Sequence, residues 1–155
     1  MAHEDFMKEA IRLSEENVKN GGGPFGAVIV KNGKIIGRGA NSVTTQNDPT
    51  AHAEIVAIRN AAKELGTFDL SDCTIYTSCE PCPMCLGAIY WAHLSKMYYG
   101  NTKTDAAKAG FDDAFIYKEM ELPVDNRSIP AQRLLPEEAY NAFKIWKENP
   151  DKIEY

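Results

Sequence analysis

The sequence predicts an α/β protein in which one β-sheet carries helices on its faces. Two observations predict it. Segments of helical periodicity alternate with short β-rich runs in the order α-β-β-α-β-α-β, and neighbouring parallel strands in such an order must be joined by helical crossovers. At 155 residues the chain has the size at which a single core is well supported, so residues 1–155 read as one domain, with a core over 1–119 and an arm and helix over 120–155.

From Glu4 to Val18 the residues Phe6, Met7, Ala10, Ile11, Leu13 and Val18 form one helical stripe, stopped by "NGGG". "FGAVIVKNGKIIGRGAN" follows as two β-rich runs joined by Asn32-Gly33, a hairpin pair because both residues tolerate positive φ. "AHAEIVAIRNAAKELG" places Ile55, Ile58, Ala62 and Leu65 at helical spacing and ends on Gly66. "CTIYTSC" reads as a strand, "PMCLGAIYWA" as a largely buried helix and "KMYYGN" as a further strand; "TDAAKAG" is a helical turn or short helix. Residues 120–133 carry prolines and no period, which reads as an arm. "LPEEAYNAFKIWKENP" opens on proline and acids, as helices do, and spaces Tyr140, Phe143 and Trp146 along one aromatic face.

Composition excludes several classes. With 44% hydrophobic and 25% charged residues the chain is neither disordered nor collagenous. A net charge of -5 argues against general attraction to nucleic acid and favours a small-molecule substrate. "MAHEDFMKEA" is acidic where a secretory signal is basic, and no apolar run approaches the ~20 residues of a membrane span. The expected location is the cytoplasm, where clustered cysteines serve metals or catalysis rather than disulfides.

The chemistry gathers in two stretches. "CEPCPMC" at 79–85 spaces three cysteines by three residues, and "AHAE" places His52 and Glu54 at a helix start. His52 with Cys82 and Cys85 makes a three-ligand zinc set with the fourth tetrahedral position left for water, and the free N–H groups of a helix start favour thiolate. Two thiolates and a neutral imidazole neutralise a +2 ion, so water bound there needs a proton acceptor. Glu54 is that acceptor. Cys79 leaves an alternative open, a closed Cys₃His shell or an iron–sulfur ligand, although the strand before it aims it away from the loop; Cys73 reads as core.

H-x-E with P-C-x-x-C is the known signature of zinc deaminases acting on bases. Here it reads "HAE" at 52–54 and "PCPMC" at 81–85, and the chain resembles the cytidine-deaminase-like superfamily from about residue 4 to residue 110. The resemblance implies a five-stranded mixed sheet between helices, one Zn²⁺ per subunit held by His52, Cys82 and Cys85, and Glu54 as proton shuttle. "GGPFGAVIV", "NDPTAHAE", "CEPCPMCLGAIYWA" and "TDAAKAGFDDAFIYKE" are similar to the bacterial guanine deaminases, to the end of the chain.

Guanine offers two adjacent donors, N1–H and the 2-amino group, which a carboxylate accepts, whereas adenine N1 is itself an acceptor. Asp112 or Asp113 could be that carboxylate, or both could be a solvated turn after Gly110. The resemblance selects Asp113 and gives it a part in moving protons towards the departing amine. It also makes Asn41 the base-binding amide, Phe25 and Trp91 aromatic walls, and Ala53 and Tyr155 further substrate contacts. The ordinary alternatives are a turn residue for Asn41, core packing for the aromatics and a frayed end for Tyr155. In this family type the C-terminal segment covers the active site, so the resemblance implies a homodimer, domain-swapped through its tail; an arm of a dozen residues at up to ~3.3 Å each reaches a neighbouring subunit. His93 stands after "YWA" where arginine is common in relatives. Two rivals remain at this point: deamination of another base, such as adenosine in tRNA, cytosine or a pterin, and a non-catalytic zinc or iron–sulfur module.

Overall fold

The structure, a computed structural model, describes residues 2–155. The chain divides into two compact units, one ending at Asp113 and the other running from Ala114 to Tyr155. The first unit contains α1 (His3–Lys19), β1 (Gly26–Lys31), β2 (Lys34–Ala40), α2 (Val43–Gln46), α3 (Ala53–Leu65), β3 (Thr74–Cys79), α4 (Pro83–Trp91), β4 (Lys96–Asn101) and α5 (Lys103–Lys108).

The sheet runs β2-β1-β3-β4, with β1 antiparallel to both neighbours and β3 parallel to β4. Helices cover both faces. Phe6 of α1 packs with Val28, Val30 and Tyr76 on one side, and Ala53, Ala57 and Ala61 of α3 pack with Ala27, Ile29, Ile75 and Ile89 of α4 on the other. This is the layered α-β-α architecture read from the sequence, and β1, buried along most of its length, is its centre. The Asn32-Gly33 turn has φ of 51° and 75°, the two positive values a tight hairpin of primed type needs.

Among the described residues the sheet has four strands, not the five expected. After β4 the chain turns helical instead of returning to the sheet, for a local reason. Thr102 Oγ1 accepts from Asp105 N at 3.2 Å while Asp105 Oδ2 accepts from Thr102 N at 2.9 Å, a reciprocal cap that starts α5. "AFIYKEME", rich in helix formers, then makes α6 (Ala114–Glu121) in the second unit, so residues 120 and 121 close a helix rather than open an arm. A 3-10 turn (Val124–Asn126) and α7 (Pro136–Glu148) complete that unit. Within it Arg127 Nε donates to Glu119 O at 3.0 Å and Tyr140 meets Phe143 edge-on at 5.8 Å.

His93 ends α4 in the left-handed region at φ 62°, and its neighbour Leu94 donates its N–H to Ile89 O at 3.3 Å. The residue therefore acts as a helix C-terminal stop.

β2 and β3 lie on either side of β1 and run parallel, so α3 is the crossover between them and starts at the sheet edge where β3 ends. Close packing fixes its height. Gly37 and Gly39 of β2 face the alanine stripe of α3; a Cβ at Gly39 would stand 2.2 Å from Ala53 O and one at Gly37 2.6 Å from Ala57 O. Glycine on the strand and alanine on the helix let the two backbones approach, which seats the first turn of α3, and with it His52 and Glu54, on the sheet. Gly39→Ala is expected to lower stability by about 1–3 kcal/mol through overpacking, read as a drop in the urea midpoint with an unchanged slope.

Candidate metal centre and active site

Two helix starts meet at one end of the sheet. His52 is the N-cap of α3 and Cys82 the N-cap of α4, both with extended backbone (ψ 157° and 171°). Pro83 follows at the first helical position, where its missing N–H costs no bond, and Cys85 lies in the first turn. The result brings His52 Nδ1 to 3.5 Å from each of Cys82 Sγ and Cys85 Sγ. All three donor atoms lie within 4.8 Å of one another.

That geometry fits one tetrahedral ion. Zn–N and Zn–S bonds of about 2.0–2.1 and 2.3 Å at a tetrahedral angle put nitrogen and sulfur about 3.6 Å apart, beside the observed 3.5 Å. One of the two thiols is poised as thiolate: Cys82 is held down to about 4, first by its hydrogen bond with Cys85 and then by His52, while Cys85, giving its proton to that bond and fully buried, is pushed up and has to release that proton to serve as a second thiolate donor. His52 is raised by its bond to Cys82. Borderline-soft zinc suits such a nitrogen–sulfur set.

Cys79 stands outside the cluster. Its Sγ faces Thr102 O at 3.8 Å and burial raises its thiol to about 11. Among the described residues the donor set is therefore three, which would leave a tetrahedral ion one corner for an exchangeable ligand, the arrangement of catalytic rather than closed structural sites.

Glu54, two residues after His52, is 6% exposed, and burial raises its carboxyl above the usual range. Electrostatic coupling to Cys82, Cys85 and His52 places it against the same centre. Asp113 joins it from the far end of the unit: it is half-buried, raised first by burial and then by the Cys82 charge. Ala53 is fully buried at the first position of α3. Asn41 follows β2, and its Oδ1 accepts from Val43 N at 3.2 Å; its side-chain N–H groups have no partner among the described residues. Phe25 precedes β1, is partly buried, and meets Phe111 edge-on at 5.0 Å. Trp91 is the last residue of α4 and 66% exposed, about 9 Å along the helix axis from Cys85. Tyr155 belongs to the second unit and is 72% exposed.

Glu80 escaped the sequence reading. Its Oε1 accepts from Lys103 N at 2.9 Å and its N–H donates to Asn101 O at 2.8 Å, which ties the start of α5 to the loop that carries the cysteines. A carboxylate beside a Cys-Pro pair gives no signal in sequence that it will cap a helix more than twenty residues later.

The profile described as "Cytidine and deoxycytidylate deaminase zinc-binding region" matches residues 1–101. The chain is 56% identical to a guanine deaminase of Bacillus subtilis (strain 168) over 100% of both chains. The X-ray structure of guanine deaminase from Bacillus subtilis superposes with a TM-score of 0.97 over 100% of this chain and 99% of that one. The chain belongs to the bacterial guanine deaminase family. A guanine deaminase from Nitrosomonas europaea is similar at 34% identity and a TM-score of 0.70, over 72% of this chain and 65% of that one. A tRNA-specific adenosine deaminase of Buchnera aphidicola (Schizaphis graminum) is 41% identical over 68% of this chain and 70% of its own. Likeness to the guanine deaminase of Bacillus thus extends through the second unit, whereas likeness to the Buchnera tRNA enzyme stops short of the whole chain.

Cys82→Ala removes one of three donors and the low-pKa thiolate. Metal content of the purified variant, measured by elemental analysis, is expected to fall from about one zinc per chain to near zero, as removing a ligand from a three-donor site should do.

Proposed function

We propose that this chain hydrolyses guanine to xanthine and ammonia at the centre formed by His52, Cys82, Cys85 and Glu54. The observation that carries the reading is a buried carboxylate, Glu54, set against three donors that suit one zinc ion. Full-length likeness to a guanine deaminase supports the substrate, and a net charge of -5 favours a small base over a nucleic acid. A bound zinc ion supplies Lewis acidity and lowers the pKa of water at its open corner.

The remaining work belongs to side chains. Glu54 takes a proton from the attacking water as its oxygen bonds to C2 of guanine, and hands that proton to ring N3. The tetrahedral carbon then collapses: the bond from C2 to the exocyclic nitrogen breaks, and the amine leaves as ammonia with a proton relayed by Glu54 or Asp113. Water thus supplies the new oxygen and the balance of protons. Asp113 accepts from N1–H and the 2-amino group, which discriminates against adenine. Asn41 donates its side-chain N–H to the base, Phe25 and Trp91 stack on its faces, and Ala53 packs against it.

The functional unit in this reading is a homodimer, swapped through the C-terminal segment, in which Tyr155 of one chain closes the other's pocket. The second unit supports it. Phe115, Ile129, Leu134, Phe143 and Ile145 are each at least 60% exposed in the single chain, apolar side chains that a second copy would cover. Four free cysteines agree with a reducing, cytoplasmic setting. Among the described residues no helix is long and apolar enough to cross a membrane.

Incubating the purified protein with guanine should produce xanthine and ammonia in equal amounts, seen by ultraviolet absorbance and ammonia assay. Glu54→Ala should keep its zinc and lose turnover by at least ~10²-fold; turnover near the parent level would eliminate Glu54 as the shuttle. A chain deleted of its tail, mixed with Glu54→Ala chain and allowed to exchange subunits, should regain activity that neither has alone. No recovery after verified exchange would count against shared sites.

A further inference from the structure

The run "NGGGPF" at 20–25, which stops α1 and leads into Phe25, is organised around one side chain. Asn17, in the last turn of α1, donates both side-chain N–H groups: Nδ2 to Gly23 O at 2.7 Å and to Asn41 O at 2.8 Å. An amide nitrogen has two hydrogens, so its donor capacity is used in full. Its own backbone carbonyl accepts from Gly22 N at 2.8 Å. The glycines are moulded to it: a Cβ on Gly22 would stand 2.5 Å from Asn17 Nδ2, and one on Gly23 3.1 Å from the Asn41 side chain.

These bonds continue into the pocket. Phe25 N donates to Gly23 O at 2.9 Å, and Asn41 N donates to Phe25 O at 3.2 Å. The β1–β2 ladder ends at the pair Gly26 and Ala40, so Phe25 and Asn41 leave the sheet side by side with a single backbone bond between them. Beyond that bond the spacing of the two strands' ends depends on what bridges them. Asn17 does so, with one N–H on the segment that leads to Phe25 and the other on Asn41 itself.

We propose that Asn17 is a positioning residue that sets the distance between the Phe25 ring and the Asn41 amide, and through them the affinity for the purine. The inference rests on the reading of Phe25 and Asn41 as base-binding residues. Neither the zinc donors nor Glu54 hydrogen-bonds to Asn17, so its effect falls on binding rather than on the chemical step.

Asn17→Asp keeps the shape and replaces the donor nitrogen with an oxygen that faces two carbonyl oxygens; Asn17→Ala removes the donors without adding charge. Each is expected to raise KM for guanine about tenfold, the equivalent of 1.4 kcal/mol, with kcat within about twofold of the parent and zinc content unchanged, since loss of binding shared by ground and transition states appears in KM alone. Asn41→Ala is measured alongside. If it raises KM while both Asn17 variants leave KM within about twofold, the positioning role is overturned and the base-binding reading stands. If Asn41→Ala itself leaves KM unchanged, the base-binding reading fails and takes this inference with it. A fall in kcat and zinc content at constant KM, or failure of both Asn17 variants to fold, would show a purely structural residue and overturn the proposal as well.

Discussion

Two helix starts meet at the end of one sheet and bring His52 Nδ1 to 3.5 Å from the sulfurs of Cys82 and Cys85; the rest of the site is arranged around that contact. A helix start is a place where backbone N–H groups lack partners, so it favours thiolate and orients whatever precedes it. His52 and Cys82 both occupy the N-cap, where the backbone is still extended.

What makes the two starts coincide is the sheet order. Because β1 lies between β2 and β3, those two strands run in the same direction and end at the same edge. α3 begins beyond the end of β2 and α4 beyond the end of β3, at the edge where open α/β sheets commonly bind ligands. The contact between the glycines of β2 and the alanines of α3 then sets how deep Glu54 sits, and depth is what raises its carboxyl and suits it to carry a proton. Packing and chemistry are thus joined: small residues on both sides of one interface bury one carboxylate.

Glu54 and the three candidate metal donors lie within the residues matched by the family profile, 1–101, whereas Asp112, Asp113 and the second unit lie beyond it. The division matches the chemistry. Telling guanine from adenine needs an acceptor in the right place, and in the proposed reading Asp113 supplies it from the chain after β4.

The cluster of His52, Cys82 and Cys85, with the buried Glu54 two residues from His52, was legible in the sequence because the chemistry proposed for it demands particular side chains, and their spacing within each motif is local. The hairpin at Asn32-Gly33 was legible for the same reason, since its turn depends on the φ preferences of two adjacent residues. The helix after β4 was legible too, since the reciprocal cap of Thr102 and Asp105 that starts it lies within four residues. Tertiary structure alone decided two other matters. It drew Asp113 into the field of Cys82. It also gave Asn17 and Glu80 their partners, at Asn41 and Lys103. An asparagine or glutamate can bond to almost any backbone group, so its role is set by which backbone the fold brings near it, and pattern along the chain carries no trace of that.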